Sequence, residues 1–320
     1  MKTIRIKYVD FWPNFNYESD PIYCILKKEY DVELSENPDY VIYSTFGKEH
    51  LGYDCIKIFY AGEEQCPDFN ICDYGIGFDY ITFGDRYFRL PLIYHPMYRE
   101  DYLKMQRRAP GEPRSQFCSF VYSNPQASPI RSEFFKQLSL YKKIDSGGKY
   151  MNNVGGPVPN KYLFEKNYKF SIAFENVSHA GYTTEKLMQA FAAGGIPIYW
   201  GDPLICNMFN KKSFINVMDF PSVDDAIQYI KSVDENTNLY NSYLTEQPLK
   251  EEYTLEVVWP QFEKFILNIF EQDLIQAQRT TRTFWNLKYQ TTARNQEKLY
   301  QMMSPVRKMR YEVLKILHKK

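Results

Sequence analysis

The chain has 320 residues, 44% of them apolar and 24% charged, with 39 Lys or Arg against 39 Asp or Glu. That composition excludes a disordered or fibrous chain, and the length suggests two domains with a sizeable core. No apolar run reaches the roughly 18 to 20 residues needed to span a bilayer and the amino terminus enters a strand pattern directly, so a cytoplasmic protein is expected.

The six cysteines, Cys24, Cys55, Cys66, Cys72, Cys118 and Cys206, form no CxxC and no zinc spacing, so reduced thiols and no cysteine-bound metal are expected. The zero net charge hides an asymmetry. From Ile275 onward there are 11 Lys or Arg and 2 Asp or Glu, which leaves the first 274 residues at −9. Nothing in the sequence points to a nucleic-acid partner.

In chain order, "TIRIKYVD" alternates as a strand, and "DPIYCILKKEY" reads as a helix with Asp20 as N-cap and Pro21 at its first position. "DYVIYS" and "CIKIFY" are short strands. "MQRRAPGEPRSQ" has two prolines, a glycine and no apolar period, which marks a domain boundary. After it "FCSFVYSN" is a buried strand, "PIRSEFFKQLSLY" an amphipathic helix and "DSGGKY" a turn. "SFINVMDF" and the helix "SVDDAIQYIKSV" continue the alternation. Strands alternating with helices predict parallel sheets, whose ligands sit at the carboxyl ends of the strands. The predicted division is 1–107, 108–275 and a basic helical tail, 276–320.

The most informative stretch is "YKFSIAFENVSHAGYTTEKLMQAFAAGGIPIYWG", Tyr168 to Gly201. It reads as a strand, a polar loop, a helix beginning near Thr183 and a second strand. Its loop crowds Glu175, Asn176, Tyr182, Glu185 and Lys186 beside a helix amino terminus, a location that favours anions such as phosphate. Each residue also has a plain structural role. Glu185 suits the first turn on dipole grounds, Lys186 suits a solvated surface, and Asn176 and Gly181 suit a turn. Spacing alone therefore indicates an anion site of unstated purpose. There is no Asp-x-Asp pair for a divalent ion.

"FENVSHAGYTTEK" followed by "AAGGIPIYWGDP" resembles the donor-binding signature of the family-10 fucosyltransferases. The likeness extends to "FYAGEEQCPDFNICDYGIGFDY", "DRYFRLPLIY", "FVYSNPQASPIRSEFF" and "FINVMDF", covering most of residues 55 to 235. Val177 departs from the serine that many members carry after FEN. The resemblance implies a GT-B architecture: an α/β fold of two Rossmann-like domains facing a cleft, with the donor in the second domain and the acceptor facing the first.

It further implies an inverting α1,3-fucosyltransferase moving L-fucose from GDP-β-L-fucose to a GlcNAc hydroxyl of an N-acetyllactosamine-type glycan on protein or lipopolysaccharide. Lys186 matches the lysine at the pyrophosphate, and Arg131 matches an arginine with the same task on what reads as an exposed helix position. Asn176, Tyr182 and Glu185 match donor contacts. Glu63 in "FYAGEEQ" matches the base that takes the acceptor proton, with Glu64 as its rival. No metal or further cofactor is implied.

Trp12 and Phe15 are candidate acceptor-side aromatics, His179 is the histidine placed to reach ligand, and "DSGGKYMNNVGG" is expected near the nucleotide. In the tail, "SPVRKMRYEVLKILHKK" has Ser304 as N-cap and apolar residues on helical spacing. Such a basic amphipathic helix suits either an anionic membrane surface or a subunit face. Two other readings stay open: a GT-B transferase using a different nucleotide sugar, and a non-catalytic nucleotide or glycan binder.

Overall fold

The structure, a computed structural model, describes residues 1–107 and 114–305. The first half is a six-stranded parallel sheet. Its strands are β1 (Thr3–Val9), β2 (Asp31–Leu34), β3 (Tyr40–Tyr43), β4 (Ile56–Tyr60), β5 (Tyr74–Gly77) and β6 (Tyr87–Arg89), in spatial order β2-β1-β3-β4-β5-β6. β3, β4 and β5 are buried at every position, as a parallel sheet covered on both faces requires. Between β1 and β2 lies α1 (Pro21–Glu29), begun as expected: Asp20 Oδ1 accepts from the backbone N of Ile22 at 3.0 Å, and Pro21 needs no partner.

After α2 (Arg99–Gln106) come β7 (Gln116–Phe120), α3 (Ile130–Ser139), β8 (Ile144–Ser146), α4 (Lys161–Glu165) and β9 (Tyr168–Phe174). α5 (Glu185–Ala192), β10 (Ile196–Trp200), β11 (Ile215–Asn216), α6 (Val223–Glu235) and α7 (Thr237–Thr245) complete the second half. Its five strands are parallel, in the order β11-β10-β9-β7-β8. The central pair is in register Ile172 to Ile198. Both sheets therefore present their carboxyl ends as candidate binding edges.

The chain then returns to the first half. α8 (Leu255–Glu271) buries Phe262, Ile266, Ile269 and Phe270 in the same core as Ile4, Ile6, Ile22 and Ile58, and Phe270 lies 4.3 Å from the Tyr40 ring, centroid to centroid. The sequence reading grouped residues up to 275 with the second half; α8 packs on Tyr40 and Phe88 of the first, in a core that also takes in Leu187 and Phe191 of the second. α9 (Leu274–Ala277) and α10 (Phe284–Met302) follow. α10 is tied to the first half by Tyr289 to Asp68 at 2.7 Å and Arg294 to the Leu51 carbonyl at 2.6 Å. The expected amphipathic helix at the carboxyl end falls largely on 306–320, outside the described residues, as does 108–113 of the expected linker. Among the described residues no helix is long and apolar enough to cross a membrane.

Candidate active site

Glu63 stands three residues beyond the end of β4, after Ala61 and Gly62, at the carboxyl edge of the first sheet. Facing it is the loop from β9 to α5, and the two edges touch because Gly181 lets them. Its φ is +92°, and a Cβ there would lie 2.2 Å from the Phe78 carbonyl oxygen. Arg89 fastens the approach by donating to Phe78 O at 2.8 Å and Gly181 O at 3.1 Å, and Asp202 accepts from Gly181 N at 2.8 Å. The next residue, Tyr182, is thereby aimed across the boundary, and its phenol donates to Glu63 Oε2 at 3.0 Å.

Between the two edges is a cavity of about 400 Å³. Glu63 enters it from the first half. Asn176, Tyr182, Glu185 and Lys186 enter it from the second, and Trp12 closes the rim. The fully buried Glu175, the residue after β9, organises this wall. It accepts from Thr184 N at 2.8 Å, Thr184 Oγ1 at 2.6 Å and Lys186 Nζ at 3.1 Å. Thr184 is the residue before α5, so a protein carboxylate already meets the helix entrance that the sequence reading left open to an external anion.

Burial sets the protonation of these groups. It raises the Glu175 carboxyl above the usual range, against the pull of Lys186. For Lys186, burial opposes the charge, but Glu175 and Glu185 outweigh it and the ammonium holds its proton more tightly than usual. Burial also pushes at Glu185, yet Lys186 and Lys161 keep it below the usual carboxylate range. Tyr182 is raised, first by burial and then by Glu175 and Glu63, so its phenol stays a donor. The cavity thus offers a fixed cation, two facing carboxylates and a phenol.

Arg131 differs from expectation. Its place on α3 read as exposed, yet it is only 2% exposed. It stands behind the cavity wall, with Nη2 donating to Asn176 Oδ1 at 2.7 Å and Phe174 O at 3.3 Å, and its guanidinium 4.2 Å from the Tyr122 ring centroid. Because Tyr122 lies at the end of β7, the helix turns the arginine inward over an aromatic face rather than outward to water.

His179 pairs with Asp79 at 2.8 Å and with Glu64 at 3.3 Å, bracing the loop contact, and neither it nor Glu64 lines the cavity. Phe15 stacks on Phe11 at 3.9 Å, beside Trp12. The glycine-rich segment after β8 lies against the end of β7, where a Cβ on Gly148 would meet the Tyr122 carbonyl oxygen at 1.8 Å. Sequence reasoning named Glu175 in the crowded loop without giving it a role, and it assigned none to Asp202 or His95. Glu175 and the buried Asp202 are the acceptors that shape the loop from β9 to α5, and each could have been suspected as an acid inside or beside an apolar strand. His95 lines the cavity; its Nδ1 accepts from Met97 N at 3.2 Å, and burial lowers its pKa to about 4.

Residues 6–97 match the family described as the alpha-(1,3)-fucosyltransferase FucT N-terminal domain, and residues 112–289 match glycosyltransferase family 10 (fucosyltransferase), C-terminal part. The alpha-(1,3)-fucosyltransferase FucT of Helicobacter pylori is 34% identical over 289 residues, covering 77% of this chain and 60% of that protein. The alpha-(1,3)-fucosyltransferase 4 of Bos taurus is 36% identical over 131 residues, 39% of this chain and 32% of that protein. The chain thus spans less than two thirds of the length of these curated relatives. Crystal structures of an α1,3-fucosyltransferase superpose with a TM-score of 0.76 at 31% identity, covering 88% of this chain and 93% of that one. A form with GDP-fucose gives 0.69 at 30%, covering 83% and 91%. The GT-B arrangement of two Rossmann-like halves is therefore that of the solved relatives.

Proposed function

Because this chain belongs to glycosyltransferase family 10, the fucosyltransferases, we propose that it is an inverting α1,3-fucosyltransferase using GDP-β-L-fucose as donor and a GlcNAc hydroxyl of an N-acetyllactosamine-type glycan as acceptor. The solved relatives with GDP and with GDP-fucose support the donor. One observation carries the catalytic reading: Glu63 from one half shares a single cavity with Asn176, Tyr182, Glu185 and Lys186 from the other.

In this reaction the acceptor hydroxyl attacks the fucose anomeric carbon from the face opposite the diphosphate. Glu63 accepts the hydroxyl proton as the new carbon–oxygen bond forms. The bond to the diphosphate breaks with its electron pair going to GDP. Lys186 in the wall, and Arg131 acting through Asn176 from behind it, offset the charge that develops on the leaving group. Asn176, Tyr182 and Glu185 hold the donor by hydrogen bonds, and Tyr182 also fixes the Glu63 carboxylate. Trp12 offers an aromatic face to the acceptor sugar. The excess of Lys and Arg after Arg294 suits peripheral attachment to an anionic membrane face.

The test is a panel of GDP- and UDP-sugars offered with N-acetyllactosamine, followed by mass and linkage analysis of the product. Transfer of fucose alone, linked α1,3 to GlcNAc, is expected. Transfer of another sugar, or fucose on a different hydroxyl, would contradict the proposal.

A further inference from the structure

A second polar cavity, of about 370 Å³, lies away from the cleft, where the segment between α9 and α10 crosses the amino end of β4. Lys57 is the second residue of β4, whereas Glu63 lies beyond its carboxyl end, so the two cavities are at opposite edges of one sheet. Lys57 is 6% exposed and lines this cavity, and among the described residues its ammonium forms no hydrogen bond or ion pair. A buried, unpaired ammonium is costly, and proteins ordinarily provide it with a counter-charge.

The nearby carboxylates are already engaged. Asp73 accepts the backbone N of Lys57 through Oδ2. Its other oxygen takes Arg279 N at 2.8 Å, Thr280 N at 2.7 Å and Thr280 Oγ1 at 2.9 Å. Three of these donors meet Oδ1 and one meets Oδ2; they pin the crossing segment over β4, and being uncharged they leave the Asp73 charge in place beside Lys57. Asp54 is taken by Arg294 at 2.5 Å. Arg282, Thr281 and Thr291 also line the cavity, and among the described residues the Arg282 guanidinium and the two hydroxyls make no hydrogen bond or ion pair. Lys57, Arg294 and the exposed Arg282 thus converge here with Asp54 and Asp73, and among the described residues Lys57 and Arg282 make no ion pair.

We infer that this cavity is a second ligand site, distinct from the donor cleft, that binds a phosphate group between Lys57 and Arg282. A phosphate adds a directly contacting counter-charge to the buried ammonium, accepts from the guanidinium fork, and takes the threonine hydroxyls on its remaining oxygens. A free phosphate or diphosphate and a phospholipid headgroup share that chemistry. Burial lowers the Lys57 pKa, against the pull of Asp73 and Asp54, and a bound anion opposes that shift.

The experiment uses the full chain saturated with GDP, so that the donor site is closed to competition. Binding of pyrophosphate, and separately of dihexanoyl phosphatidylglycerol below its micelle concentration, is measured by calorimetry and thermal shift. One or both should bind at a single site. Arg282→Ala and Lys57→Met should each weaken that binding by about tenfold or more, as expected for loss of a charge-assisted contact. GDP affinity should stay unchanged. Lys57→Met removes an unpaired buried charge and should fold at least as stably, so weak binding cannot be blamed on misfolding. Preference for pyrophosphate or for the lipid identifies the source of the phosphate. Failure of both probes to bind in the presence of GDP, or binding that both variants leave intact, would overturn the inference.

Discussion

The Tyr182 phenol, on the second half of the molecule, donates to Glu63 on the first at 3.0 Å. Burial and the neighbouring carboxylates keep that phenol protonated, and the Phe78 ring packs edge-on against it at 5.0 Å. The loop from β9 to α5 thereby fixes the direction of the carboxylate proposed to meet the acceptor. Tyr182→Phe keeps the ring and its packing but releases Glu63. Hydrogen bonds to charged groups of about 1.5 to 3 kcal/mol imply a fall in turnover of roughly ten- to a hundredfold. The melting temperature should move little. Normal turnover in this variant would show that the contact does not position the base.

Lys186 ion-pairs with Glu175 and is proposed to meet the diphosphate, and the two separate by mutation. Lys186→Met removes the cation from the buried Glu175, which costs about 3 to 5 kcal/mol in comparable pairs. The stability deficit should shrink as pH falls, because protonating Glu175 removes the uncompensated charge. Adding Glu175→Gln should recover most of the stability without restoring GDP-fucose affinity. Denaturant melts and donor titrations on both variants decide this; a single variant as stable as the parent would show that the pair carries no such strain.

Asp20 predicts a pH dependence far from the cleft. Burial raises its pKa to about 7, against the pull of Tyr8 and the amides of Ile22 and Tyr23, and its Oδ2 is buried without a partner. Between the ordinary aspartate value near 3.8 and about pH 7, the unfolded chain has lost this proton while the native chain keeps it. The stability contributed by this group is therefore full below about pH 4 and lost as pH rises, by at most ~1.4 kcal/mol per pH unit. Asp20→Asn preserves an acceptor for Ile22 N and should lack this slope. Melting curves from pH 4 to 8 should show the parent losing stability relative to the variant; parallel curves would rule out the proton.

Transfer should survive excess EDTA. In the proposed reaction the diphosphate is met by the Lys186 ammonium in the wall and by the Arg131 guanidinium behind Asn176, which occupy the role of a bound cation. Initial rates with and without chelator should agree. Complete loss, restored by Mg²⁺ or Mn²⁺, would contradict that assignment of charge.

Much of this architecture is legible locally. The alternation around Ile4 and Ile6 gives β1, the Asp20–Pro21 pair gives the start of α1, and the apolar run from Tyr168 gives β9. The second-half wall of the cavity is legible because its residues crowd one strand-to-helix loop. What escapes the sequence depends on distant partners. Glu63 and Tyr182 are 119 residues apart, and no local pattern announces their contact. The arginine of α3 looks exposed until Tyr122 and Asn176 are seen to receive it. α8 has an apolar stripe, but the stripe does not state which sheet it covers, and the chain doubles back to the first one.

The most direct test compares Glu63→Gln with Glu64→Gln. Glutamine keeps the size of Glu63 and can still accept from Tyr182, but it cannot take the acceptor proton. Turnover of GDP-fucose with N-acetyllactosamine should fall by about 10² to 10⁴, with donor affinity and melting temperature nearly unchanged. Glu64 pairs with His179 at 3.3 Å outside the cavity, so Glu64→Gln should lose far less. Near-normal turnover in Glu63→Gln, or a larger loss in Glu64→Gln, would contradict the assignment of Glu63 as the base.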